Sequence, residues 1–202
     1  MISCASASRS GEVFTYDLDV MLAKHHVLPR MNGTWLLLGC DSILSTGIRL
    51  TGSGDSFYPY KLKAGRKLPE PVGACTRGER IIVRNIAGIR PGVLSWAVED
   101  SIDDSTRSFR TDTDTAAIVT RRTADGFGLV LELASGSRRK TLTGESYESM
   151  QVPFVGDINR DGHIDFVIRW TSTYANRYDV LVSRKKHGVW RWEQEAQTVF
   201  TD

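Results

Sequence analysis

No apolar run in this chain approaches the ~20 residues that a membrane-spanning helix requires. Nor is there an excess of charge of one sign: 26 Lys and Arg stand against 24 Asp and Glu, a net of +2. That balance argues against a nucleic-acid-binding module, which carries a strong basic surplus. Histidine is scarce, with four in the chain, and no Gly-x-Ser-x-Gly elbow, Walker loop or His-Glu-x-x-His occurs. Cysteine numbers three, an odd count that leaves at least one thiol outside any intrachain pair. What remains is ordinary globular composition, 41% hydrophobic and 25% charged over 202 residues. Such a chain is long enough for one sizeable core and short for two full domains.

Short strand-like runs separated by Gly, Asp, Asn and Ser fill most of the sequence. Apolar or alternating stretches at 13–16, 34–38, 43–50, 80–84 and 93–98 read as strands, and 20–28 reads as strand or short helix. Proline makes 57–60 an edge strand at best, and 61–77 is an irregular connection. Residues 99–114 hold five aspartates and one glutamate among Ser and Thr, which predicts a polar loop suited to a flexible or interdomain role. A meander is expected over 116–121, 127–133 and 138–142, with Asp125-Gly126 and Ser135-Gly136 as hairpin turns. Runs at 151–155, 166–170, 178–182 and 189–193 complete the series, and the period of two in Phe166, Ile168 and Trp170 predicts a half-buried strand. The expectation is one mainly β domain over 12–202, built of antiparallel hairpins and meanders with few short helices, behind a tether at 1–11.

One segment has a spacing that dictates a chemistry. Residues 157–165 read Asp157-Ile158-Asn159-Arg160-Asp161-Gly162-His163-Ile164-Asp165. Oxygen side chains fall at loop positions 1, 3, 5 and 9, and glycine stands at position 6, where the backbone must turn sharply. Calcium, a hard cation, takes six to eight oxygens, and this run supplies them from one segment. An EF-hand would need glutamate at position 12 and flanking helices; position 12 here is Ile168, within a β-patterned run. A dockerin module would need an acidic residue at 12 and a second copy.

The loop resembles the calcium-binding hairpin of the FG-GAP and VCBS repeats and of integrin α-chain propellers. The resemblance covers about 20 residues, from Phe154-Val155-Gly156 to Phe166-Val167-Ile168. It implies Ca²⁺ held by side-chain oxygens of Asp157, Asn159 and Asp161, the backbone carbonyl of His163, and the carboxylate of Asp165 directly or through water. Gly162 would take φ > 0, and Ile164 would pin the loop to the core. The calcium hairpin as a whole spans 150–183. Only one copy is present, so a full propeller of at least four blades is not expected. Three carboxylates in nine residues repel one another until a cation arrives, which suggests a structural ion. Affinity of about 10⁻⁴ to 10⁻³ M is expected, as for extracellular modules.

Cys4, in Met1-Ile2-Ser3-Cys4-Ala5-Ser6, resembles the end of a bacterial lipoprotein signal. The resemblance implies lipid anchoring at Cys4, although no charged or apolar segment precedes it. Cys40 and Cys75 would then remain to pair, or all three are idle thiols. Other signals point less far. Gly54-Asp55-Ser56 matches the nucleophile block of Gly-Asp-Ser hydrolases, but no histidine follows an aspartate by three. His25 and His26, adjacent in a strand, would point to opposite faces. The basic runs Arg138-Arg139-Lys140 and Arg184-Lys185-Lys186-His187 are expected at solvated turns. Trp170, Tyr174, Tyr178, Trp190 and Trp192 crowd the last third, either as core or as an exposed stacking platform.

These readings combine into an exported, periplasmic or outer-membrane-associated calcium-binding domain that is not an enzyme. It would act by binding a protein or cell-envelope glycan, for example as an immunity protein. Alternatives are an envelope hydrolase with a site near Asp55 and Ser56, and a self-assembling scaffold or adhesin subunit.

Overall fold

A computed structural model describes residues 11–15, 32–39, 41–52, 60–64, 81–100 and 105–201. Cys4, Cys40, Cys75, Asp55, Ser56, His25, His26 and the 20–28 segment lie outside these residues. Among the described residues every regular element is a strand, which bears out the mainly β reading.

The strands run in chain order. The first part of the chain gives β1 (Glu12–Thr15), β2 (Gly33–Leu38), β3 (Ser42–Gly52), β4 (Tyr60–Ala64) and β5 (Ile81–Arg84). Three short strands follow: β6 (Gly92–Val93), β7 (Ser95–Trp96) and β8 (Val98–Glu99). Then come β9 (Thr106–Arg110), β10 (Thr115–Arg122), β11 (Leu129–Ser135) and β12 (Arg138–Gly144). The last four are β13 (Ser149–Asp157), β14 (Asp165–Thr171), β15 (Ala175–Lys186) and β16 (Val189–Thr201). All pair antiparallel in three sheets, none closed into a barrel or propeller. An N-terminal sheet is ordered β1-β5-β2-β3-β4, with β6 added on β3. A meander sheet runs β12-β11-β10-β9-β8, and a third sheet runs β16-β15-β14-β13-β7.

The third sheet is the middle layer, because its two faces feed two different cores. Val167, Val180 and Val182 pack with Leu38, Ile43 and Val83 of the N-terminal sheet. Phe166, Ile168 and Leu181 pack with Ile118, Leu131 and Leu133 of the meander sheet. The half-buried pattern expected for β14 is therefore corrected: Phe166, Val167 and Ile168 are all fully buried. A strand covered on both faces has no solvent side for a polar residue to occupy.

Two further expectations change. The single strand expected at 93–98 is three two-residue strands, and each joins a different sheet: β6 on β3, β7 on β13, β8 on β9. The chain crosses the edges of all three layers there, with Leu94 buried and its N–H donating to Asp41 O at 2.9 Å. The polar loop expected at 99–114 contains β9, whose Phe109 is buried against Phe166. One aromatic on the inner face is enough to hold a strand whose other residues are polar.

Candidate metal-binding hairpin

The loop at 157–165 joins β13 to β14, so the strands flanking the motif are paired, Gly156 opposite Asp165. Gly162 has φ of +85°, as the sixth position requires, and Arg160 is also left-handed at +62°. For a non-glycine residue that conformation costs about 1–2 kcal/mol. The Arg160 guanidinium offsets it by donating to Val93 O at 2.8 Å and Arg90 O at 3.0 Å. The loop is thereby fastened to the segment that crosses the three sheets.

The motif's own oxygens organise its backbone. Asp161 N donates to Asp157 Oδ1 at 3.0 Å and to Asn159 Oδ1 at 3.1 Å. Gly162 N donates to Asp157 Oδ2 at 2.8 Å, and His163 N to Asp161 Oδ1 at 2.9 Å. Asn159 Nδ2 donates to Asp161 Oδ2 at 2.8 Å and to Ser183 O at 3.3 Å. Asp165 is the innermost group, fully buried, and accepts from Ile158 N at 2.9 Å and Ser183 N at 2.6 Å. Burial pushes its carboxyl well above the usual carboxylate range. The negative charges of Asp161 and Asp157 push the same way, against the hydrogen bonds from Ser183 and Ile158. No ion pair among the described residues reaches Asp157, Asp161 or Asp165. Ile164 is fully buried in the core shared with the meander sheet, the role its position implied.

The donor set fits a hard cation: three carboxylates, one amide oxygen and a left-handed glycine in one turn, and among the described residues no basic side chain forms an ion pair with those carboxylates. The side chains are not, however, gathered around one point. Among the described residues no three His, Cys, Asp or Glu stand ready to hold a metal ion. The hydrogen bonds explain this: backbone N–H groups take both Asp165 oxygens, and the Asn159 amide caps Asp161. A carboxylate oxygen has two lone pairs, so an accepted N–H leaves capacity for a cation. Asp157, Asn159, Asp161 and Asp165 are the side chains that would hold it, with the His163 carbonyl.

Residues outside the motif complete the setting, and nothing in the sequence placed them beside it. Asp114, in the β9–β10 turn, accepts from Ile164 N at 2.8 Å through Oδ2. Its Oδ1 accepts from Ser135 Oγ at 2.9 Å and Thr115 N at 3.0 Å. Arg138 donates to Asp114 Oδ2, to Ser135 Oγ at 2.6 Å and to Ser183 Oγ at 2.7 Å. Its guanidinium also lies over the Trp192 ring at 4.7 Å. Arg138 is therefore buried at 5% exposure, which corrects the expectation of a solvated turn. Burial alone would raise the Asp114 carboxyl, but hydrogen bonds from Ile164, Arg138 and Ser135, with the charge of Arg138, hold it below the usual range. Thr113 Oγ1 donates to Gly162 O at 2.6 Å. The His163 ring lies against Trp190, centroids 3.9 Å apart and planes tilted by 57°, with Nδ1 3.6 Å from Asp114 Oδ2.

The aromatic cluster divides. Trp170, Tyr178 and Trp192 are core, whereas Tyr174 is exposed. Trp192 Nε1 donates to Ile164 O at 2.7 Å, and Trp170 Nε1 to Asp179 Oδ2 at 2.7 Å. The two buried indoles thus have polar partners, one of them in the loop itself. Comparison with protein-family models, with curated proteins and with solved structures finds no match to this chain.

Proposed function

We propose that this protein is an exported β domain that binds one calcium ion structurally and acts by binding a partner, a protein or a cell-envelope glycan. The observation that carries the calcium reading is Asp165. It is a buried carboxyl beside two further carboxylates, and no ion pair among the described residues reaches any of the three. Such a group is costly when charged and unpaired. A divalent ion relieves that repulsion and fixes the turn that joins β13 to β14. The ion's chemistry here is charge neutralisation and backbone ordering. An exported location suits the loop, because free calcium is abundant outside cells, and it suits the lipoprotein-like context of Cys4. The middle position of the β13–β14 sheet explains why one ion would matter to the whole fold.

Isothermal titration of the metal-free protein with calcium tests the reading, alongside thermal melting with calcium and with chelator. One site with a dissociation constant of about 10⁻⁴ M would add about 2.7 kcal/mol at a hundredfold excess of free ion. For a domain of this size that raises Tm by roughly 5–11 °C. Asp157→Ala combined with Asp161→Ala should abolish the heat of binding and the Tm increase. A wild-type Tm indifferent to chelation would refute the structural role.

A further inference from the structure

The N–H groups of the loop reveal which of its constraints come from elsewhere in the fold. Those of Ile158, Asp161, Gly162 and His163 donate to oxygens of Asp165, Asp157, Asn159 and Asp161, all within the motif. Ile164 N is different: its acceptor is Asp114, fifty residues earlier and in the β9–β10 turn of the meander sheet. The peptide it belongs to carries the His163 carbonyl, and Asp165 follows directly. An acceptor placed there sets the direction of two of the five proposed ligands.

Asp114 is itself held. Arg138 and Ser135 bind its carboxylate, and Arg138 reaches on to Ser183 Oγ. Ser183 closes the circuit by donating its Oγ to Ile164 O at 3.1 Å and its N–H to Asp165 Oδ1. The backbone of Ile164 is therefore held on both sides of its Cα, N–H by Asp114 and C=O by Ser183 and Trp192. Thr113 adds a second bond from the same turn to Gly162 O.

We propose that Asp114 is a positioning residue for the cation: by accepting Ile164 N, with Arg138 holding its carboxylate in place, it couples docking of the meander sheet to occupancy of the hairpin. This rests on the calcium reading above. Partners in the shell behind metal ligands typically alter affinity by roughly 10–100-fold when removed. Coupling is reciprocal, so calcium should order the β9–β10 turn by the same factor by which that turn improves calcium binding.

The test separates the acceptor from the buried charge pair. In Asp114→Asn/Arg138→Met both charges are gone, but the amide oxygen still accepts from Ile164 N. In Asp114→Leu/Arg138→Met the acceptor is gone too. Calcium titration of the two double variants, each first shown to be folded by near-UV circular dichroism, should give near wild-type affinity for the Asn variant. The Leu variant should bind at least roughly tenfold more weakly. Equal affinities in the two variants overturn the proposal and leave the calcium reading standing. A wild-type protein that binds no calcium overturns the calcium reading and this coupling with it. Should the Leu variant fail to fold, hydrogen exchange on the wild type decides. Calcium should slow the amides of 111–115 as well as those of 157–165, and slowing confined to 157–165 overturns the coupling.

Discussion

Replacing Asp114 by alanine should be among the most destabilising single changes in this protein even without any metal. Asp114 is 11% exposed and Arg138 5%, so the pair sits in a medium that screens charge poorly. Alanine removes the acceptor of Ile164 N, Ser135 Oγ and Thr115 N. It also strands the Arg138 guanidinium with two serine hydroxyls and the face of Trp192. Breaking a buried pair from one side costs about 3–5 kcal/mol, because the surviving charge stays desolvated. Against a total of about 5–15 kcal/mol that is a large share. With a urea m-value of about 2 kcal/mol/M, the unfolding midpoint should fall by roughly 1.5–2.5 M. Removing both charges, in Asp114→Asn/Arg138→Met, should recover much of the loss, since no unpaired ion remains and methionine still packs on the indole. A midpoint shift for Asp114→Ala equivalent to less than about 1 kcal/mol would refute the view that this pair holds the meander sheet to the middle sheet.

Other consequences follow from the same geometry. Because the Asp114 carboxyl is held below its usual range, the stability it contributes is fully present above the ordinary carboxylate pKa. That stability is lost as pH falls through the lowered value, so wild type should lose an increment on the acid limb that Asp114→Asn does not. The Asp165 carboxyl is raised, so a proton competes with the ion, and calcium affinity measured by calorimetry should weaken steadily as the solution is acidified. At Gly156 a methyl group would run into Ser95 O and come within 3.0 Å of Trp96 Cα, both on the backbone of β7. Gly156→Ala should therefore cost about 1–3 kcal/mol in denaturant unfolding, and an unchanged midpoint would mean that β7 is not seated on β13.

The elements that were legible in the sequence are those whose signal is local. Period-two alternation and turn dipeptides located the meander and the last four strands, and the Asp, Asn and Gly spacing located the hairpin loop and its left-handed glycine. What could not be read depends on partners distant along the chain. Residues 93–98 look like one apolar strand because nothing local says that their pairing partner changes every two or three residues. The acidic run at 99–114 looks like a solvated loop. In the fold, Phe109 anchors a strand there, and Asp114 becomes the acceptor for an N–H fifty residues later. Arg138 reads as one of three basic residues at a turn, yet it is buried because Asp114, Ser135, Ser183 and Trp192 converge on it from three strands and a turn. Even β14 was only half legible: its alternation is real, but a sheet covered on both faces buries both sets of residues.

The most direct test of the central claim is a crystal structure of the protein grown with calcium in millimolar excess. The account predicts one ion at the β13–β14 hairpin, with oxygens of Asp157, Asn159, Asp161 and Asp165 and the His163 carbonyl at about 2.3–2.6 Å, directly or through one bound water. Density showing only water between those side chains, with Asp165 still bonded solely to Ile158 and Ser183, would contradict it.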